Sequence, residues 1–143
     1  METVAITGTS GFESRDQFHQ ALADRGLHYS TVTEIPFNID TSAATDLRYM
    51  FFGCAALVTI PEIDTSSVTT MQNMFTSCSS LTSVPDLDTA NVTDAEWMFY
   101  SCASLTDGSV RLIGKRAAVV TTGMITGSGL TREPFFDAAG NPI

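Results

Sequence analysis

Three consecutive stretches of the chain set apolar side chains at the same places. Residues 39–62 read IDTSAATDLRYMFFGCAALVTIPE, residues 63–86 read IDTSSVTTMQNMFTSCSSLTSVPD, and residues 87–106 read LDTANVTDAEWMFYSCASLT. The offset is 24 residues without a gap. Asp40/Asp64/Asp88, Thr41/Thr65/Thr89, Thr45/Thr69/Thr93, Met50/Met74/Met98, Phe51/Phe75/Phe99, Cys54/Cys78/Cys102 and Leu57/Leu81/Leu105 are identical in all copies. Met71, Met74, Phe75 and Cys78 fall at i, i+3, i+4 and i+7, which predicts a short helix with one apolar face. Leu47, Met50, Phe51, Cys54 and Ala95, Met98, Phe99, Cys102 repeat the spacing. Thr69 with Gln72 and Thr93 with Glu96 fit a capping box at the helix start, and Thr45 a plain Thr cap. Leu57 to Pro61 and Leu81 to Pro85 read as short extended pieces ended by proline. The Asp-Thr pairs that follow read as turns.

A unit of two helical turns and a short strand cannot bury its apolar edge alone, so the copies are expected to pile into a solenoid. The fold class expected is α/β, a short solenoid of 24-residue helix-plus-short-strand rungs about 4.8 Å apart. Residues 1–143 read as one domain, with an N-terminal cap over 1–38, three repeats over 39–106, a degenerate C-terminal rung over 107–130 and an extended tail over 131–143. In the cap, Val4 to Ile6 reads as a strand and Val32 to Pro36 as a partial rung. Ser14 with Gln17 forms a further capping box, and Phe18, Ala21, Leu22 and Arg25 predict an amphipathic helix over about 14–25 stopped by Gly26. Met124 to Leu130 reads as a decayed copy of the Met-Phe…Cys…Leu pattern.

Charge narrows the partners. Seven Lys and Arg stand against 16 Asp and Glu, a net charge of −9. That balance disfavours a nucleic-acid backbone or an anionic membrane, which need clustered positive charge. No apolar run reaches the roughly 18 residues of a membrane span, and the first residues predict no secretory leader.

The pattern D-T-S-x-V-T-x-M-x-x-M-F-x-x-C-x-x-L is similar to the BspA-like leucine-rich repeats, a type also found in Mycoplasma lipoproteins. The resemblance covers about residues 32–106. It implies a leucine-rich-repeat-type β/α solenoid and a surface-exposed, protein-contacting role. Similar repeats occur in structural proteins of bacteriophages of Gram-positive hosts, and the closing stretch Gly129 to Ile143 resembles such virion proteins.

Candidate chemistry is sparse. Cys54, Cys78 and Cys102 lack C-x₂-C spacing and read as a structural ladder, with one disulfide or a metal site as the lesser readings. Asp40, Asp64 and Asp88 read as turn formers or, less well, as a cation ladder. His19 and His28 have no nucleophile motif beside them. No P-loop, G-x-S-x-G or H-E-x-x-H occurs. The expected protein is therefore not an enzyme and carries no cofactor and no metal. Candidate partner contacts are Tyr49, Trp97 and Tyr100 beside the buried stripe, the basic group Arg111, Lys115 and Arg116 after an acidic stretch, and Phe135 and Phe136 in the tail. Each has a plainer reading: the aromatics cover the ends of the repeats, the charges are solvated, and the phenylalanines fold back as a cap. Met50, Met74, Met98, Phe51, Phe75, Phe99, Cys54, Cys78, Cys102, Leu57, Leu81 and Leu105 are the expected buried ladders.

The expectation for function is a structural protein of a bacteriophage virion, a capsid decoration or other accessory protein. It would bind virion proteins or further copies of itself, with no nucleic acid and no membrane insertion. The alternatives are a phage tail or fibre module, or an adhesin-type module at a bacterial surface that binds host protein or glycan.

Overall fold

The structure is a computed structural model and describes residues 1–114 and 117–143. Its regular elements are few and short. Strand β1 is Thr3–Ala5, helix α1 is Glu13–Ala23, and strands β2 to β5 are Asn38–Asp40, Leu87–Asp88, Leu112–Ile113 and Phe135–Phe136. Strands β1 and β2 pair in parallel, and β3, β4 and β5 form a second parallel sheet in that order.

This overturns the expected fold class. The α/β leucine-rich-repeat-type solenoid of helix-plus-strand rungs does not form, because α1 is the one α-helix among the described residues and it precedes the repeats. The extended pieces expected at 57–61 and 81–85 are not strands either. The physical reason lies in the backbone. Tyr49, Asn73 and Trp97 sit at φ of 61°, 55° and 57°, and Gly53, Ser77 and Ser101 at 73°, 65° and 60°. Two left-handed residues four apart break any helical run. What remains is a chain of tight turns. Met74 N–H donates to Met71 O (3.1 Å), Cys78 N–H to Phe75 O (3.0 Å) and Leu81 N–H to Cys78 O (3.2 Å).

The alternate amides bond to the following copy. Met71 N–H donates to Asp94 O at 2.9 Å, Asn73 to Glu96 O at 2.9 Å, Phe75 to Met98 O at 2.9 Å and Ser77 to Tyr100 O at 2.8 Å. The first copy does the same toward the second, as Phe51 N–H to Met74 O at 3.0 Å shows. Isolated parallel bridges link Asp46, Thr70, Asp94 and Val120 in turn. The capping boxes expected in the copies are absent: the Thr69 and Thr93 hydroxyls donate to Thr45 O and Thr69 O instead.

Apolar burial follows the repeat even though the helices do not. Every Met, Phe, Cys and Leu of the expected ladders is fully buried. The Phe51, Phe75 and Phe99 rings stack at 5.4 Å between successive centroids. At the N-terminal end, α1 covers this core with Phe18, Ala21 and Leu22, and Phe18 meets Phe51 edge-on at 4.9 Å. The expected Ser14–Gln17 capping box is not made. Ser14 Oγ donates to Asp46 O at 2.6 Å, and the Gln17 side chain binds Thr7. Gly26 ends the helix at φ 71°, with Gly26 N–H to Ala23 O and Leu27 N–H to Leu22 O forming a Schellman pair.

At the other end the tail is not simply extended. After β5 it turns at Asp137, Phe136 bridges Pro142 antiparallel, and Ile143 N–H donates to Phe135 O at 3.0 Å.

Candidate partner surface

Residues 49, 73 and 97 occupy the same left-handed position in successive copies, so their side chains leave the backbone at equivalent places. Asn73 suits that conformation, whereas Tyr49 and Trp97 are bulky residues held there against preference. Tyr49 meets Phe12 at 5.0 Å and Phe52 at 5.5 Å between ring centroids. Phe12 and Phe52 are 47% and 39% exposed, and Arg15 lies over the Phe12 ring at 4.2 Å. Two copies further on, Trp97 meets Tyr100 edge-on at 5.4 Å, with Tyr100 exposed. The middle copy interposes polar atoms. Asn73 Nδ2 donates to Thr76 Oγ1 at 3.0 Å, and Thr76 Oγ1 donates to Trp97 O at 2.6 Å. Trp97 rests on Gly123, where an added Cβ would lie 2.2 Å from the indole. The outcome is two aromatic clusters flanking a polar strip on left-handed turns.

Arg111 forks onto the Asp86 carboxylate, Nε at 3.1 Å and Nη2 at 2.5 Å, so its charge is already matched. Lys115 and Arg116 lie outside the described residues. Phe135 and Phe136 are buried as β5, which removes them from direct contact with a partner. Phe12 was not legible as a contact. The available signal was an aromatic immediately before α1 and out of phase with its buried face.

The titratable groups are structural in character. The three cysteines are free thiols. Cys78 Sγ bonds to Phe51 O at 3.0 Å and Cys102 Sγ to Phe75 O at 2.9 Å. Burial pushes the Cys54 and Cys102 thiols up to about 12 and raises Cys78 further, which suppresses the reactive thiolate. Asp40 Oδ1 accepts from Ser42 Oγ and N–H at 2.7 and 2.9 Å, and Asp64 from Ser66 at 2.6 and 2.9 Å. These bonds hold both carboxyls below the usual range and fit the turn reading of the Asp ladder. His19 stacks on Tyr29 at 4.2 Å, its Nε2 is unpartnered, and burial lowers its pKa. Among the described residues no group of three or more His, Cys, Asp or Glu is placed to hold a metal ion. No described helix is long and apolar enough to cross a membrane.

Identical residues at a 24-residue interval, with backbone bonds running from copy to copy, define a protein built of short sequence repeats. The chain belongs to the family described as Mycoplasma protein of unknown function, DUF285, whose model matches residues 11–126. Comparison with curated proteins and with solved structures gave no match.

Proposed function

We propose that the protein is a non-enzymatic structural component of a bacteriophage virion, a capsid decoration or other accessory protein that presents a rigid surface to neighbouring proteins. The observation that carries the protein-binding reading is the pair of aromatic clusters, Phe12–Tyr49–Phe52 and Trp97–Tyr100, in which Phe12, Phe52 and Tyr100 are exposed and the half-buried Tyr49 and Trp97 sit on left-handed turns. Tyr and Trp held rigid bring large contact area at little conformational cost, and such residues dominate binding energy at interfaces. The virion setting rests on the resemblance of residues 129–143 to phage structural proteins. On a lattice of many copies, individually weak contacts would sum through avidity.

A second reading, an adhesin-type module at a bacterial surface, is favoured by the bacterial family to which the chain belongs. Mass spectrometry of particles purified from a lysate of the encoding host separates the two. Peptides of this chain in stoichiometric amounts in the particle are expected. Their absence there, with recovery from the bacterial surface fraction, would overturn the virion reading. Replacing the exposed Phe52 and Tyr100 by alanine is expected to release the protein from particles while leaving its fold intact.

A further inference from the structure

We propose that the open edge of β1, with the groove beside it, takes an extended, positively charged peptide segment of another protein as an added strand. This surface is separate from the aromatic clusters, and the argument does not depend on the setting proposed above.

The sheet edges at β1 and at β5 are treated differently. Beyond β5 the chain folds back on itself, with the Phe136–Pro142 bridge and the bond from Ile143 N–H to Phe135 O. Among the described residues no strand pairs with the other edge of β1. Glu2 O accepts from Asn38 N–H at 2.8 Å and Ile6 N–H donates to Asp40 O at 2.8 Å, which directs residues 2, 4 and 6 toward β2. By the alternation of a strand, the N–H and C=O groups of Thr3 and Ala5 face the other way. Both residues are exposed. An open row of this kind is a template for strand addition, and folds usually protect it.

A groove of about 750 Å³ adjoins it, lined by Val4 and Ala5, by Glu13, Asp16 and Gln20 of α1 and by the helix C-cap Asp24. These α1 residues recur at helical spacing, so one face of the helix lines the groove. The charge is acidic. Asp16 pairs with Arg15 at 3.0 Å, and Arg25, also in the wall, is matched by Glu2 at 3.0 Å. Asp24 receives the Gln20 amide at 2.7 Å, and Glu13 adds a further carboxylate. Glu13 and Asp24 lie 11 residues apart, about 16 Å along the helix at 1.5 Å per residue. About five residues of extended chain span that distance. A second copy of this chain on the same edge would set Glu13, Asp16 and Asp24 against their own equivalents. Like charges so placed repel, which selects a cationic strand over self-pairing.

The test uses the intact protein and an acetylated, amidated pentapeptide, Lys-Val-Thr-Val-Lys. Titration followed by amide NMR is expected to shift the Thr3 and Ala5 resonances and to slow their hydrogen exchange. Raising salt from about 0.05 M to about 0.5 M should weaken binding several-fold. Glu13→Gln with Asp24→Asn should weaken it by about tenfold, the size of two exposed charge pairs. Both substitutions are at exposed positions. The same peptide with its three central amides N-methylated should not bind, which probes strand pairing without altering the protein. Equal binding of the methylated peptide, equal binding of a Glu-Val-Thr-Val-Glu peptide, no binding of the lysine peptide, or shifts confined to the aromatic clusters would each overturn the proposal. A concentration-dependent dimer that protects Thr3 and Ala5 without peptide would overturn it in favour of a second copy.

Discussion

Ser77 holds a conformation that glycine would hold at less cost. Its φ is 65°, and the equivalent residues in the first copy and after the third are Gly53 and Gly127 at 73° and 72°. A left-handed L-residue costs about 1–2 kcal/mol, and glycine's extra unfolded-state entropy offsets about 0.5–1 kcal/mol. Ser77→Gly is therefore expected to stabilise the protein by about 0.5–1 kcal/mol, measured by urea unfolding. The same scale decides the acid response. The Asp40 and Asp64 carboxyls bind a proton less readily folded than unfolded, because each accepts two bonds from the following serine. Their contribution is complete above the ordinary carboxylate value near pH 4 and is lost as pH falls through the lower folded values. The Asp40 and Asp64 share of stability should be level above about pH 4 and decline below it. His19, whose folded pKa is lowered by burial, adds a separate loss as pH falls below its ordinary value of 6.5. Asp40→Asn with Asp64→Asn should reduce only the decline below about pH 4, part of which stays with Asp107 and Asp137, in acid titrations followed by circular dichroism.

At the scale of elements, α1 is attached by few but specific bonds. The Ser14 hydroxyl reaches Asp46 O from a buried position, and Gly8 packs so closely there that a Cβ would lie 2.1 Å from Ser14 Oγ. Ser14→Ala should cost about 1 kcal/mol or somewhat more, since the Asp46 carbonyl loses a buried donor. Hydrogen exchange over residues 13–23 should accelerate with it. Periodicity located this helix over 14–25, and the structure has it over Glu13–Ala23. The same periodicity misled in the repeats. Met71, Met74, Phe75 and Cys78 do share one buried side, but a run of tight turns gives that spacing as well as a helix does. The discriminating signal was present at the two left-handed positions, as Gly53 in the first copy, Asn73 in the second, and Gly123 and Gly127 after the third. Tyr49 and Trp97 at the same place hid it, because aromatic residues rarely adopt positive φ. The candidate surface was legible in part. Tyr49, Trp97 and Tyr100 stand out beside the buried stripe. The long-range meeting of Phe12 with Tyr49 and the pairing of Arg111 with Asp86 depend on packing that no local pattern encodes.

For the whole molecule, the apolar interior is continuous from α1 to β5, and its middle is the Phe51–Phe75–Phe99 column. Phe75 has a ring on both sides at 5.4 Å. Phe75→Ala should destabilise by about 3–5 kcal/mol and preserve a single unfolding transition. Two separate transitions would mean that the copies do not form one core. The deepest commitment concerns what joins the copies. Scalar couplings transmitted through hydrogen bonds identify donor and acceptor directly in an isotope-labelled sample. Coupling is expected from Phe51 N to the Met74 carbonyl carbon and from Phe75 N to that of Met98, the bonds of 3.0 and 2.9 Å between copies. Coupling of Phe75 N to the Met71 carbonyl instead, the i to i−4 bond of a helix, would contradict that pairing.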